Sequence, residues 1–254
     1  MSTPRDRWHR LGALTPARIA LGRSGVSLPT DRALELRAAH AAARTAVHAV
    51  LDPRLTDAWR AGFADSVAVR SRAADRAAFL QRPDLGRLLH PDDMTALAAR
   101  RGAFDVAVIV ADGLSALAIE RNAAAFLTAW HPHATRHGWR LAPLVVATQA
   151  RVALGDGIGA ALGARLTLML IGERPGLSAP DSLGLYLTHD PRPGLRDAAR
   201  NCISNVRSGG LSADLAAYRA AYLIDRALTL GFSGVALKDE TSTDEGAVMW
   251  RVTL

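Results

Sequence analysis

Cysteine is almost absent from the chain, because Cys202 is the only one. An intrachain disulfide and a zinc site built from several thiolates are therefore excluded. Long apolar runs are absent too, since none reaches the roughly 20 residues that a helix needs to span a bilayer. The charged start, Met1 to Arg10, is not followed by an apolar segment of the signal-peptide type. We therefore expect a soluble protein of the cytoplasm with no membrane partner.

Lysine and aromatic residues are also scarce. Lys238 is the only lysine among 31 basic residues, so the formal net charge of +7 comes from arginine. These arginines are scattered along an alanine-rich chain instead of forming one basic block, which is typical of a genome-wide compositional bias. Aromatic residues make up only 5% of the chain, which is few for a surface that stacks unpaired bases. Nucleic acid is therefore not an expected partner.

The first hundred residues read as mostly helical. Apolar residues recur at helical spacing from Ala33 to Val50, and Thr30 or Asp31 is a suitable N-cap for this segment. The stretch from Asp65 to Leu80 is rich in alanine and arginine, and we predict that it is helical too. Residues 31–104 are thus expected to form a helical region.

Beyond residue 104, apolar runs alternate with helical patterns. The run from Val106 to Ala111 is continuous and β-branched, as expected for a strand buried on both faces. Further strands are predicted at 144–147, 166–171, 183–188 and 233–237, and helices at 114–129, 152–162 and 212–230. This alternation predicts right-handed crossovers and a Rossmann-like, mainly parallel α/β sheet with flanking helices. We therefore divide the chain into an arm (1–30), a helical region (31–104) and an α/β domain (105–254).

Two of the predicted strands end in an acid, at the edge where open parallel sheets bind their ligands. Asp112 follows the first of these strands, and it either contacts a ligand or has a structural role, such as capping the helix that begins near Ser115. Glu173 follows another and precedes Pro175-Gly176, which suits the centre of a type II turn with positive φ at Gly176. Such a turn would present the Glu173 carboxylate at the ligand edge. The alternative is a turn in which Glu173 only pairs with a nearby arginine.

A glycine run and the lone cysteine suggest structural roles. The glycine spacing of a dinucleotide-binding loop is partly matched by Gly155-Asp156-Gly157-Ile158-Gly159. This segment, however, falls inside a helical pattern instead of joining a strand to a helix. Its glycines are expected to allow close helix packing or the approach of a ligand. Cys202 is expected to be a small buried apolar residue, because the sequence names no base that would activate its thiol.

The histidines show no spacing that we would assign to a metal site. His40 lies in an alanine-rich helical segment and is expected to be a hydrogen-bonded packing residue. His131 and His133 flank Pro132 in a predicted loop. From the residues alone, the chain is a cytosolic α/β protein with a ligand edge near Glu173 and without a recognisable catalytic apparatus.

Five ordered segments carry a resemblance to a known family. They are ARIALGRSGVSLPTDRALELRAAHAAARTAVH near residues 18–48, SRAADRAAFLQRPDLGRLL at 71–89, DVAVIVADGLSALAIERNA at 105–123, IGERPGLSAPDSLGLYLTHDPRPG at 171–194 and RNCISNVRSGGLS at 200–212. Together they resemble the small (light) subunit of ethanolamine ammonia-lyase. The resemblance covers the chain from about residue 11 to residue 240.

The resemblance implies an activity that needs a second chain. Enzymes of this family convert ethanolamine to acetaldehyde and ammonia by a radical route that starts from adenosylcobalamin. The large subunit resembles a (β/α)8 barrel and holds the catalytic residues, and the Rossmann-like small subunit covers the cobalamin from the other side. Because the catalytic residues of this family lie on the large subunit, the resemblance implies none in this chain. The cofactor is bound base-on, with its own dimethylbenzimidazole under the cobalt, so no metal ligand is expected here either. The expected location is the cytoplasm, or a bacterial microcompartment. The alternative is a non-catalytic small-molecule-binding or scaffold subunit of the same fold.

Carried over residue by residue, the resemblance implies three cobalamin contacts. They fall on Val152, which follows Ala150-Arg151, on Glu173 of the GERPG string, and on Cys202 of the NCISN string. A carboxylate suits the carboxamide N–H groups on the corrin rim, and such a charged hydrogen bond contributes about 1.5–3 kcal/mol. Val152 and Cys202 suit the apolar surface between those amides.

Overall fold

The computed structural model describes residues 8–15, 17–51, 59–60 and 62–241. The strands in these ranges are β1 (Ser66–Arg70), β2 (Val106–Ala111), β3 (Leu144–Thr148), β4 (Leu166–Gly172), β5 (Leu183–His189) and β6 (Arg200–Val206). The α-helices are α1 (Thr30–His48), α2 (Arg76–Gln81), α3 (Pro91–Ala98), α4 (Ala116–His137), α5 (Leu154–Leu162) and α6 (Ala213–Leu230). Short 3-10 turns lie at His9–Ala13, Leu85–Arg87 and Asp197–Ala199. No helix in the described ranges is both long and apolar enough to cross a membrane.

The six strands form one mixed sheet in the order β1-β3-β2-β4-β5-β6. β1, β3, β2 and β4 are parallel, whereas β5 pairs antiparallel with β4 and β6 pairs antiparallel with β5. Helix α4 connects β2 to β3, and helix α5 connects β3 to β4. The predicted fold class, a mainly parallel α/β sheet with flanking helices, is confirmed.

The sheet has a hydrophobic core on each face, and the side chains of β2, which point alternately to the two faces, contribute to both. Val106, Val108 and Val110 belong to the cluster that packs against α4 and α6, and Ala107, Ile109 and Ala111 belong to the cluster that packs against α5. All of β2 is buried, as the unbroken apolar run predicts. The packing partners include Ile119, Phe126, Ala217 and Ile224 on the first face, and Leu97, Leu154, Ile158 and Leu162 on the second.

The boundaries of the last helix, α6, could be predicted closely because each end carries a typical capping residue. The Ser212 hydroxyl accepts a hydrogen bond from the Leu215 N–H and caps α6. Gly231 ends the helix in the left-handed conformation with a φ of 78°, which glycine adopts without steric cost. The predicted helix over 212–230 is therefore confirmed to within one residue.

The N-terminal predictions were partly wrong. Helix α1 begins at Thr30, but Pro29 occupies the N-cap position and no side chain caps the helix, so the assignment of Thr30 or Asp31 as N-cap was wrong. The predicted helix over 65–80 was wrong for residues 65–75, because Ser66–Arg70 pairs in parallel with β3 and helix α2 begins only at Arg76. The division of the chain at residue 104 stays a prediction, although β1 lies before it and belongs to the sheet.

Two other predictions also required correction, and one strand was missed. The segment 233–237 is not a strand; the last strand of the sheet is β6 (Arg200–Val206), which the sequence pattern did not indicate. β6 is half polar, so it lacks an apolar run. His131 and His133 lie inside α4 instead of in a loop, because this helix continues through Pro132 to His137. Burial of Trp130 and Ala134 on the core side outweighs the hydrogen bond that a proline removes from a helix.

Candidate functional site

The two faces of the sheet are covered unequally. Helices α4 and α6 pack on one face, and their contacts extend to β5. On the other face α5 packs against β2 and β4. In the described part of the chain no helix packs over β5 and β6 on this second face, where Tyr186 is half-buried and Cys202 is exposed. We call the β5–β6 surface around Tyr186 and Cys202 the open face.

A cleft of about 390 Å³ lies beside the open face, where β2, β3 and β4 end. Residues from the loops that follow all three strands line it, together with Tyr186 of β5. The lining consists of Gly113, Leu114, Ala150, Arg151, Val152, Ile171, Gly172, Glu173, Arg174 and Tyr186. A cleft at the carboxyl ends of parallel strands is the usual position of a ligand site in an open α/β sheet.

Two glycines allow the ends of β2 and β4 to approach each other. A Cβ on Gly172 would lie 2.0 Å from the carbonyl oxygen of Ser115 and 2.6 Å from that of Asp112. Gly113 has a φ of +55°, and a Cβ there would lie 2.3 Å from the carbonyl oxygen of Gly172. Larger residues would force the strand ends apart, so the two glycines set the shape of the cleft wall.

Asp112 holds the loop that follows β3. Its carboxylate accepts hydrogen bonds from the Gln149 N–H at 2.9 Å and the Ala150 N–H at 3.1 Å, and a guanidinium nitrogen of Arg76 lies 3.6 Å away. Burial raises the pKa of Asp112, against the opposing effect of these partners. The nearby helix is capped by Ser115, which accepts from the Ala118 N–H. Asp112 therefore does not cap the helix but orders the loop that carries Val152, which is a structural role of another kind; a ligand contact at Asp112 stays a prediction.

Glu173 lies at the end of β4 with one oxygen engaged and one without a partner. Oε2 accepts hydrogen bonds from the Ser182 hydroxyl and from the Asn205 N–H, the latter at 3.4 Å. No arginine of the described ranges lies within ion-pair distance of this carboxylate, so the alternative of a simple Glu–Arg turn is not what the structure contains. Oε1 faces Gly184 and accepts no hydrogen bond within the same ranges. The Glu173 carboxylate thus retains one oxygen for a ligand.

The turn after Glu173 differs from the predicted type. Gly176 does not have a positive φ, so the assignment of Pro175-Gly176 to a type II turn was wrong. The turn lies two residues later, where the N–H of Gly176 donates to the carbonyl of Ala179 and the N–H of Ala179 donates to the carbonyl of Gly176. Arg18 of the arm donates to the Ser178 hydroxyl at 3.2 Å and braces this loop.

Tyr186 and Cys202 are neighbours across β5 and β6 and form the floor of the open face. The prediction that Cys202 is buried was wrong, because its residue is exposed on the sheet surface. Desolvation by neighbouring side chains nevertheless raises the pKa of the Cys202 thiol, and the charge of Glu173 adds to the rise. Burial likewise raises the pKa of Tyr186. Both groups are therefore neutral and present a weakly polar surface at neutral pH.

The three residues singled out by sequence lie in one region. Val152 and Glu173 line the same cleft, and Cys202 lies beside Tyr186, which lines it too. Sequence reasoning missed Tyr186, Arg151 and Arg174. Tyr186 could have been noticed in the sequence, since it is the one aromatic residue in the apolar strand LGLYLTH. Only the fold shows that no helix of the described ranges covers its side of the strand.

The glycine run is helical, as predicted, and allows α5 to pack closely on the sheet. A Cβ on Gly159 would lie 2.5 Å from side-chain atoms of Thr167 and of Pro191. Between the glycines, Asp156 forms a two-pronged ion pair with Arg200 at the start of β6, with one N–O distance of 2.8 Å. Both side chains are only 2% exposed. This pair fixes β6, and hence Cys202, relative to α5.

The histidines take no part in the cleft. His40 is exposed on α1, so its prediction as a packing residue was wrong. His131 contacts the carbonyl oxygen of Gly62 through Nε2 at 2.7 Å. Among the described residues, no group of three or more His, Cys, Asp or Glu side chains is arranged to hold a metal ion.

The fold and the cleft define an α/β protein with a cleft at the carboxyl edge of its sheet, where open α/β sheets usually bind their ligands, next to an uncovered sheet surface. The model of the ethanolamine ammonia-lyase light chain family matches residues 5–238. The chain is 52% identical over 247 residues to the ethanolamine ammonia-lyase small subunit of Pseudomonas putida, covering 94% of this chain and 89% of the relative. It is 54% identical over 242 residues to that of Xanthomonas campestris pv. campestris, covering 93% and 89%.

A third relative, the ethanolamine ammonia-lyase small subunit of Azotobacter vinelandii, is 54% identical over 238 residues, with coverage of 92% and 88%. Matches of this extent span the arm, the described helices and every strand of the sheet. The chain belongs to the family of ethanolamine ammonia-lyase small (light) subunits.

Proposed function

We propose that the chain is the small subunit of an adenosylcobalamin-dependent ethanolamine ammonia-lyase, and that its cleft and open face form one wall of the cobalamin site. The other wall would come from a larger, barrel-shaped subunit that carries the catalytic residues. Membership of the family supports the enzyme assignment. The grouping of Val152, Glu173 and Cys202 around one cleft supports the position of the wall.

The observation that carries the proposed site is the free oxygen of Glu173. Oε1 accepts no hydrogen bond from the residues that the structure describes, whereas Oε2 is held by Ser182 and Asn205. The carboxylate is therefore fixed in place while one acceptor remains available. The rim of a corrin ring carries carboxamides whose N–H groups need such acceptors, and a hydrogen bond to a charged group contributes about 1.5–3 kcal/mol.

The open face fits the remainder of a broad, flat cofactor. The Tyr186 ring, the Cys202 thiol and the Val152 side chain offer an almost uncharged surface beside the charged Glu173. A surface of this kind loses little when it is covered, because few polar groups have to give up water. The cleft itself is too small to enclose a corrinoid, which is why a second subunit has to complete the site.

Adenosylcobalamin, when bound, would supply the radical that starts the removal of ammonia from ethanolamine. The residues of this chain would orient the cofactor through Glu173 and exclude water from its exposed side. Exclusion of water protects reactive intermediates from side reactions, and positioning and shielding are what a protein contributes to cofactor chemistry. No catalytic residue is proposed in this chain.

Co-expression with the large subunit encoded in the same organism tests the function. The purified complex should release acetaldehyde and ammonia from ethanolamine only when adenosylcobalamin is added, and the isolated chain should bind the cofactor weakly and release neither product. Turnover by the isolated chain would contradict the division of labour. A complex that binds cobalamin without turnover would instead favour a small-molecule-binding or scaffold subunit that has lost catalysis.

A further inference from the structure

Four arginines meet on one side of the cleft. Arg151 and Arg174 line it directly. The guanidinium of Arg151 lies over the ring of Phe79, 4.3 Å from its centroid, and that of Arg76 lies over the same ring at 4.7 Å. Arg87 follows Gly86, whose Cα is so close to Arg151 that an added Cβ would lie 2.9 Å from the Arg151 Cγ. We call these four residues the arginine cluster.

Among the residues that the structure describes, Asp112 is the only carboxylate within ion-pair distance of the arginine cluster. Asp112 lies 3.6 Å from Arg76, which otherwise donates to the backbone carbonyls of Val47 at 2.7 Å and Gly113 at 2.8 Å. The guanidinium of Arg151 donates to the carbonyl of Phe79 at 3.2 Å. Backbone carbonyls accept hydrogen bonds without cancelling charge, so these contacts leave the positive charges of the cluster uncompensated.

The guanidinium groups of the two exposed members of the cluster have no partner in the described part of the chain. Neither the Arg87 nor the Arg174 side chain forms a hydrogen bond or an ion pair there, whereas the Arg87 backbone N–H donates to the carbonyl of Asp84. The other acids near the cluster are occupied elsewhere, since Asp75 caps α2 and Asp84 pairs with Arg82 at 2.7 Å. Within the described ranges the four guanidinium groups thus have one ion-pair partner, and Glu173, which lines the same cleft, pairs with none of them.

This excess of positive charge has a cost that a bound anion would remove. Desolvation lowers the pKa of Arg151, and the neighbouring Arg76, Arg87 and Arg174 lower it further. Arginine nevertheless stays protonated in proteins, so the repulsion is retained. In addition, Arg151 Nε and one terminal nitrogen of Arg76 are buried without a hydrogen-bond partner in the described ranges. These two nitrogens are closed off from the cleft, so what a phosphate-type anion would supply there is compensating negative charge and acceptor oxygens for the cleft-lining side chains of Arg151 and Arg174.

We infer that the arginine cluster binds a phosphate-type anion at the rim of the cleft and that, if the proposed function holds, this anion is the phosphodiester of the cobalamin nucleotide loop. Arginine forks match the oxygens of a phosphate in pairs. Stacking on Phe79 holds two of these forks in fixed orientations. Glu173 would then bind a neutral donor and the arginine cluster the anionic group of the same molecule.

Cobinamide separates this inference from the proposed function, because it has the corrin ring and its amides but lacks the nucleotide loop and its phosphodiester. The experiment measures affinities of cyanocobalamin and dicyanocobinamide for the complex of the full chain with its large subunit. The double variant Arg151→Gln/Arg174→Gln should lose about 10-fold or more in cyanocobalamin affinity. Single substitutions of the exposed Arg87 or Arg174 should cost about 2- to 5-fold. Dicyanocobinamide affinity should not change.

Arg136→Gln provides the matched control. Arg136 is equally exposed but lies in the last turn of α4, near the opposite edge of the sheet, and its replacement should alter neither affinity. Melting curves on the same preparations show that each variant is folded. Unchanged cyanocobalamin affinity in the double variant, or an equal loss for both corrinoids, would overturn the inference while leaving cobalamin binding itself established.

If the wild-type complex binds neither corrinoid, the proposed function fails and the anion site is judged on inorganic phosphate alone. Phosphate should then raise the melting temperature of the wild-type chain and of Arg136→Gln, but not that of the double variant. The same shift in all three proteins, or no shift in any, would refute the arginine cluster as an anion site.

Discussion

The two faces of the sheet differ in what they need from outside the chain. The α4–α6 face is closed by two long helices whose buried residues are largely alanine, and small side chains allow helices to lie close to the strands. The face with α5 is closed over β2 and β4 only, and the nine-residue α5 leaves the β5–β6 surface uncovered. The first face supplies stability from within the chain, whereas the second offers a surface that a ligand or another subunit can cover.

Leu185 and Tyr186 show this contrast in two adjacent residues. Because side chains alternate across a strand, Leu185 enters the core beneath α4 and α6 and is 0% exposed, whereas Tyr186 lies on the open face. Two substitutions on one strand can therefore test whether the faces have separate roles.

We expect the largest effect from Leu185→Ala, which should lower the free energy of unfolding by about 2–5 kcal/mol, since it removes buried atoms and leaves a cavity. Tyr186→Ala should cost clearly less stability, because this side chain is only half-buried. It should instead weaken cobalamin binding by the complex, while folded Leu185→Ala should bind normally. Urea denaturation and cobalamin titration of both variants measure the two effects. An equal loss of stability in the two variants would show that the open face is structural as well.

The strands themselves show how far the sequence predicts the fold. β2 and β4 were predicted closely, because a strand that is buried on both faces has an unbroken run of apolar residues in its sequence. β1 and β6 form the edges of the sheet, and each buries mainly one side. Their short, partly polar segments carry too few apolar residues to distinguish a strand from a helix or a loop. Pairing with β3 and β5, which is a long-range contact, decides their structure.

In the candidate site too, residues that follow a local sequence pattern could be predicted, and those that depend on long-range contacts could not. Glu173 could be predicted because it stands at the end of a buried strand. Val152 and Cys202 came from the family resemblance alone, since neither residue carries a pattern of its own. Tyr186 could not be predicted, because its exposure depends on which strands lack a covering helix. The arginine cluster could not be predicted either, because it depends on the position of α2, which brings Phe79 into contact with Arg76 and Arg151. Such contacts join residues far apart in sequence.

The next largest effect is expected at Glu173, where binding and stability should separate. Glu173→Ala should weaken cobalamin binding by about 1.5–3 kcal/mol, or roughly 10- to 150-fold. Glu173→Gln keeps an acceptor oxygen but loses the charge, so its loss should be smaller. The KM for ethanolamine should change little at saturating cofactor, because the substrate residues are proposed on the other subunit.

Ser182→Ala is the matched control for Glu173. It removes the hydroxyl that donates to Oε2 but keeps the carboxylate, so it should lower the melting temperature more than it lowers cobalamin affinity. If Glu173→Ala and Ser182→Ala behaved alike, with reduced stability and normal affinity, Glu173 would be a structural residue and the proposed contact would be wrong.

The smallest effect is expected at the amino edge of the sheet, where Asp105 precedes β2. Burial raises the pKa of Asp105, but this is outweighed by the Arg140 N–H, which donates to the carboxylate at 3.0 Å, and by the guanidinium groups of Arg140 and Arg165 at 3.3 and 3.2 Å, so that its pKa lies below the usual value. Both arginines are more than half exposed, so solvent weakens these ion pairs. Asp105→Asn should therefore cost only about 0.5–1.5 kcal/mol near neutral pH.

The pH dependence identifies the source of this small loss. A carboxyl group whose pKa is lower in the folded state stabilises the protein above the unfolded-state pKa, which is near 3.8 for Asp105, and this contribution disappears as the pH falls through the folded-state pKa. The difference in unfolding free energy between wild type and Asp105→Asn should thus be constant above about pH 5 and shrink toward about pH 3. Urea titrations across that range measure it. Cobalamin affinity of the complex should be unaffected, because Asp105 lies at the edge opposite the cleft; a loss of affinity would mean that the two edges of the sheet are coupled.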